Sequence, residues 1–185
     1  MTAKCRCLVL IGAALVATSL APAAQVPPDP YRPTLAPLKS LAPASGDLAV
    51  RIHYMGSLVT VESWLTLVRH GEGSTADYWI ESILADVHSR HEAPIPTVPW
   101  RDVWEQLTRD GLFELADGQP GVRYCGNTVP IDAETVEVEL VRLGTFRRYS
   151  YYAPTEQACP DTKKLMTLLR YLQKVVHGPL PFDSP

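Results

Sequence analysis

From residue 47 onward, apolar and polar residues alternate with a period of two, the repeat of a half-buried strand. Leu48, Val50 and Ile52 share one face of a first strand. A second spans about Val59 to Arg69, with Val59, Val61, Leu65 and Leu67 at odd positions, and Gly56-Ser57 suits the turn between them. The glycine-rich turn His70-Gly71-Glu72-Gly73-Ser74 leads into 77–87. There two periods compete: Tyr78, Ile80 and Leu84 fit a strand face, while Trp79, Ile83 and Val87 fit a helical stripe. We read this segment as strand.

A helix follows. Thr97 is placed to cap it, Pro99 is pre-set for the first turn, and Trp100, Val103, Trp104 and Leu107 recur at i, i+3, i+4 and i+7 before Gly111 closes it. At that spacing the tryptophans face a core. Leu112 to Leu115 reads as a short extended segment, and Asp117 to Asn127 as turn-rich loop.

Glu134 to Arg142 and Thr145 to Tyr152 flank Leu143-Gly144, and a two-residue turn there sets 142 opposite 145. Val136, Val138 and Leu140 then face Tyr151, Tyr149 and Arg147, and Glu139 faces Arg148 as a solvent-side charge pair. A last helix runs from Pro160 to about Val176, with Leu165, Leu168, Leu169, Leu172 and Val176 as its apolar stripe. There is no internal repeat. The order β-β-(β)-α-β-β-α, joined by local hairpins, predicts an α+β domain: a mostly antiparallel sheet with two amphipathic helices on one face, a two-layer sandwich over 46–178. Residues 179–185 form a C-terminal tail.

The N-terminus changes the setting. Lys4 and Arg6 precede an apolar run from Leu8 to Leu20, and Ala21-Pro22-Ala23-Ala24 offers a small-residue cleavage site. The run of about 13 residues is short of the ~20 that span a bilayer, so 1–24 reads as a cleavable export signal. The expected location is periplasmic or secreted, with no transmembrane segment in the mature chain. Between the signal and the domain, 25–45 carries six prolines, which remove backbone donors and fix φ; this predicts an extended tether.

Of 17 Lys and Arg against 20 Asp and Glu, the signal removes two basic residues and no acid, leaving 15 against 20, a net charge of −5. Nucleic-acid binding feeds on a concentrated basic surface, so no nucleic-acid partner is expected. Cleavage also leaves only Cys125 and Cys159, in a compartment where thiols oxidise. Their disulfide would close a loop of about 35 residues and stabilise by about 3 to 4 kcal/mol on the chain-entropy model. The alternative, a reactive Cys159 thiol at the helix start before Pro160, has no CxxC or Cys/His signature behind it.

One segment suggests catalysis. Leu67-Val68-Arg69-His70-Gly71-Glu72 resembles the signature of the histidine phosphatase family, which includes the phosphoglycerate mutases, and Val175-Val176-His177-Gly178 is similar to its second histidine motif. The resemblance implies that His70 takes up a phosphoryl group, Arg69 clamps the phosphate and His177 contacts the transferring group, with Glu72 or another acid in a pocket as the proton donor. Imidazole is a competent nucleophile near neutral pH and guanidinium a forked phosphate ligand. The chain departs from the family in four respects. A strand precedes the signature and the later strands form a hairpin, whereas the family's fold is three-layer α/β. The residues that usually follow the signature and the second arginine motif are absent. His177 ends a helix rather than a strand. Only eight residues follow it.

His88 and His91, with Asp86 and Glu92 nearby, have a spacing that places two imidazoles on one metal if the segment is helical, but Pro94 and Pro96 favour a loop and no third ligand is fixed. His53 has no evident partner. No GxSxG, HExxH, Walker or dinucleotide fingerprint is present, and no cofactor is implied. Three function classes follow: a non-catalytic exported domain that binds a protein or small molecule in the envelope, which is the favoured reading; a histidine-dependent phosphohydrolase; and a small-molecule binder using Tyr149, Tyr151, Tyr152 and Trp79, which needs an exposed aromatic cleft.

Overall fold

The computed structural model describes residues 35–56, 61–82, 90–115, 122–123, 131–154 and 159–176. In chain order these form α1 (Leu38–Leu41), β1 (Leu48–Met55), β2 (Val61–His70), β3 (Gly73–Ser82), β4 (Arg90–Glu92), α2 (Trp100–Arg109), a 3-10 turn (Leu112–Glu114), β5 (Val122–Arg123), β6 (Thr135–Arg142), β7 (Thr145–Tyr152) and α3 (Pro160–Val175). The strands make one sheet in the order β4-β3-β2-β1-β6-β7-β5. Every pairing is antiparallel except the two-residue β5–β7 contact. The fold is α+β, as the alternating and helical patterns together require.

Side chains alternate across the sheet, so each strand contributes to two faces. Leu48, Val50, Ile52, Leu65, Leu67, Val136, Val138 and Leu140 come from one face, and they join Val103, Trp104 and Leu107 of α2 and Leu165, Leu168, Leu169 and Leu172 of α3 in a single apolar core. The start of α2 is tied to the end of α3: the Thr97 amide donates to the Val175 carbonyl at 2.8 Å, and Pro96 bridges Val176. Thr97 therefore does not cap α2. Its hydroxyl also reaches the Val175 carbonyl, and the N-cap position falls to Pro99, whose ring has no polar atom to cap with. Gly111 ends α2 at φ +87°, where a left-handed residue is needed. Leu112–Glu114 then turns as a 3-10 helix rather than extending, because burial of Leu112 and Leu115 from a chain leaving Gly111 demands a tight turn.

The β6–β7 hairpin has the expected register, Arg142 opposite Thr145, across a turn with Leu143 at φ +51° and Gly144 at +72°. Its charges do not pair directly across. Arg148 instead donates to Glu137 on the diagonal, and Glu139 reaches Arg51 of β1 at 3.4 Å. Of the segment 77–87, Asp77 to Ser82 belongs to β3 and the remainder lies outside the described residues. Of the segment 25–45, expected as an extended tether, 25–34 lies outside the described residues and the remainder is not extended. From Leu35 the chain folds onto the sheet, with Leu38 and Ala42 buried against Ala49, Val68 and Val141 of the second face. Those three small or branched side chains form an apolar patch that a polar outer face would lack, and α1 covers it. The segments expected as export signal, 1–24, and tail, 179–185, lie outside the described residues, among which no helix is long and apolar enough to cross a membrane.

Candidate functional site

Arg69 and His70 end β2, and Gly71-Glu72 turns the chain into β3 with Gly71 at φ +55°. As consecutive strand residues they point to opposite faces. Arg69 lies on the core side, its guanidinium carbon 5.8 Å from the centre of the Trp104 ring, and Trp104 donates to Ser74 Oγ at 3.0 Å. His70 faces the other way, half-exposed, with Nδ1 at 3.0 Å from Asp47 Oδ2. The Asp47 carboxyl is held below its ordinary value chiefly by the Ala44 amide, which donates to it at 3.1 Å, with His70 adding to the effect. Glu72 is exposed in the turn. The two motif residues thus have separate surroundings and no common focus, and His177 lies outside the described residues.

The remaining sequence candidates divide. Tyr149 and Tyr151 are buried in the apolar core, and the Tyr152 hydroxyl accepts from the Ala133 amide at 3.3 Å, so the three tyrosines build no open cleft. Alternation along β7 sends the first two under the helices. His88 lies outside the described residues. His91 sits on β4 beside Asp77, and among the described residues no three His, Cys, Asp or Glu side chains are placed to hold a metal ion. Cys125 is likewise outside. Cys159 precedes α3, with Sγ 2.8 Å from Thr162 Oγ1.

Trp79 belongs to an arrangement that the sequence reading missed. The pairings His91–Trp79, Trp79–Trp64 and Trp64–His53 set four rings in one row across β4, β3, β2 and β1, with Glu137 of β6 next in line. Trp79 and His91 stack at 4.1 Å, and His53 and Trp64 at 4.7 Å. Each imidazole also meets acid. Asp77 hydrogen-bonds His91 Nε2 and accepts from Trp79 Nε1 at 2.9 Å. Glu62, only 3% exposed, lies 3.1 Å from His53 Nε2, and Glu137 approaches Nδ1 at 3.6 Å. The turn itself carried the signal. A two-residue loop at Gly71-Glu72 that pairs His70 with Gly73 brings Trp64 opposite Trp79 and places both on the face away from Leu65 and Leu67.

The neighbouring row is polar as well. Arg51 is buried and divides its donors among Thr66 Oγ1 at 3.1 Å, Glu139 Oε2 at 3.4 Å and the Ala36 carbonyl at 2.8 Å. Burial pushes its pKa down, and the charge of Glu139 opposes that. The bond to Ala36 fixes the 35–46 segment as a strap over this face. Between strap and sheet lies a hollow of about 320 Å³, walled by Leu35 and Leu41 on one side and by Arg51, Thr66, Thr75, Asp77, Trp79 and His91 on the other. A flat aromatic wall, an aliphatic wall and a few fixed polar groups suit a ring-shaped ligand with a polar edge.

No protein-family model matches this chain, and no curated protein sequence matches it.

Proposed function

We propose that the chain is an exported, non-catalytic binding domain: a two-layer α+β sandwich in which α2 and α3 cover one face of the sheet and the other face takes a small ligand beneath the 35–46 strap. The observation that carries this reading is the hollow walled by the Trp79–His91 stack and the strap. Its size falls at the lower end of ligand pockets, roughly 300 to 1,000 Å³. The charged groups around it are already committed to one another, Arg51 to Glu139 and Asp77 to His91, which suits a fixed binding wall better than proton transfer. The same reading places 1–24 as a cleaved signal and pairs Cys125 with Cys159.

The test is a fluorescence and thermal-shift screen of ring compounds (monosaccharides, nucleosides, aromatic acids) against the mature protein. A hit that raises Tm in wild type and loses its effect in Trp79→Ala supports the reading. Hits indifferent to Trp79→Ala sink it. Hydrolysis of phenyl phosphate that His70→Ala abolishes would replace it with the phosphohydrolase. Intact-mass measurement of the exported chain, with and without alkylation, checks the cleavage site and the disulfide.

A further inference from the structure

The end of the β6–β7 hairpin borders a second hollow, separate from the one under the strap. In a chain whose mature form carries net charge −5, Arg142, Arg147 and Arg148 fall within seven residues. The register sorts them. Arg142 pairs with Thr145 and Arg147 with Leu140, so Arg142, Thr145 and Arg147 share the core-side face of the sheet, while Arg148 turns to the other face and Glu137. Here the strands run past the helices, and 142–148 are exposed throughout.

Phe113, on the 3-10 turn after α2, supplies the opposite wall. The Arg142 guanidinium lies 4.2 Å from the centre of its ring. Stacking uses the face of the guanidinium and leaves the in-plane N–H donors at its edge for an acceptor. Among the described residues Arg142 forms no ion pair, whereas Arg51, Arg101 and Arg148 each have a carboxylate. Phe113, Leu140, Arg142, Leu143, Thr145 and Arg147 line a hollow of about 200 Å³. That is too small for a whole ligand of ordinary size and large enough for a head group. At its lip Leu143 is 70% exposed, and the left-handed turn holds Arg142 and Thr145 at fixed separation.

We infer that this hollow binds a phosphate head group carried on an apolar chain. Arg142 supplies the forked donors and the Thr145 hydroxyl a further one, Arg147 adds positive charge to the wall, and Phe113 and Leu143 give the surface for the first carbons of the chain. Free amphiphiles and membrane lipids share that chemistry.

The test is calorimetric titration of the mature chain with hexyl phosphate, together with co-sedimentation with phosphatidylcholine vesicles with and without phosphatidic acid. Saturable binding is expected. Arg142→Gln should weaken it about 10- to 100-fold, the loss of a charge-assisted hydrogen bond. Phe113→Leu, which keeps the apolar wall and removes the stack, should weaken it a few-fold, and Arg101→Gln should leave it unchanged. Arg142→Lys, which keeps the charge and loses the fork, serves if Arg142→Gln fails to fold, and should weaken binding a few-fold. Binding of hexyl phosphate without vesicle binding identifies a free amphiphile; vesicle binding that needs phosphatidic acid and Arg142 identifies a lipid surface. Failure of both, or equal binding by wild type and Arg142→Gln, overturns the inference.

Discussion

On one face of the sheet Val50, Leu67 and Val138 meet Leu107, Leu165 and Leu169, apolar surface against apolar surface. On the other, Arg51, Glu62 and Thr66 are buried almost as deeply, but through directed contacts: a guanidinium on a hydroxyl, a carboxylate and a carbonyl, and a carboxylate on an imidazole. The two faces lose water by different physics. Apolar burial is non-directional and tolerates swaps of similar volume, whereas a buried polar group must be partnered and tolerates loss of no single partner. A face built in the second way is a costly way to gain stability, and it is the face that carries the hollow and the strap.

The largest test of this contrast is in the apolar core. Leu169→Ala should cost about 2 to 5 kcal/mol in urea denaturation, while Leu169→Met should cost under about 1.5 kcal/mol. Next comes Arg51→Met, which keeps most of the volume and strands Glu139 and the Ala36 carbonyl. It should cost about 2 to 3 kcal/mol, and Arg51→Lys should recover only part, because a single ammonium cannot serve three acceptors on three elements. Hydrogen exchange at the Ser40 and Asp47 amides, which bond within the strap, should accelerate in both variants. If Arg51→Met is as harmless as Leu169→Met, the polar face is packing like any other and the contrast fails. Third, Gly144→Ala should cost about 1 kcal/mol, since φ of +72° suits glycine.

How far the sequence foretold these faces depends on the range of the contact. The β6–β7 register was legible because one two-residue turn determines it, and the stripes of α2 and α3 because 3.6 periodicity is local. The Glu139 contact is invisible to local pattern because Arg51 is 88 residues away in sequence and reaches it only when β1 lies beside β6. In the sequence the strap looks like tether because the proline density of 25–45 outweighs Leu38 and Ala42. The clue that something covers Ala49, Val68 and Val141 is spread over three strands whose neighbours are unknown until the sheet is assembled. The aromatic row hid for the same reason, although the Gly71-Glu72 turn alone could have paired its two tryptophans. The Arg69-His70 motif taught the reverse: six adjacent residues matched a pattern, and strand alternation then sent its two key side chains to opposite faces.

The smallest expected effect concerns the rim of the polar face, where Asp47 meets the Ala44 amide and His70. The fold lowers the pKa of this carboxyl from its ordinary 3.8, so the folded protein holds its proton less readily than the unfolded chain. The resulting stabilisation is complete above about pH 3.8 and disappears as pH falls through the lower, folded value. Asp47→Asn leaves an oxygen to accept from Ala44 and removes only the charge, so it isolates this contribution. Urea midpoints should therefore differ between wild type and Asp47→Asn at pH 7 and converge as the pH is taken well below 3.8. A gap that persists unchanged in acid would mean that the amide oxygen, and not the carboxylate charge, holds the strap's end, and the rim would then belong with the neutral hydrogen bonds rather than with the charged pairs around Arg51.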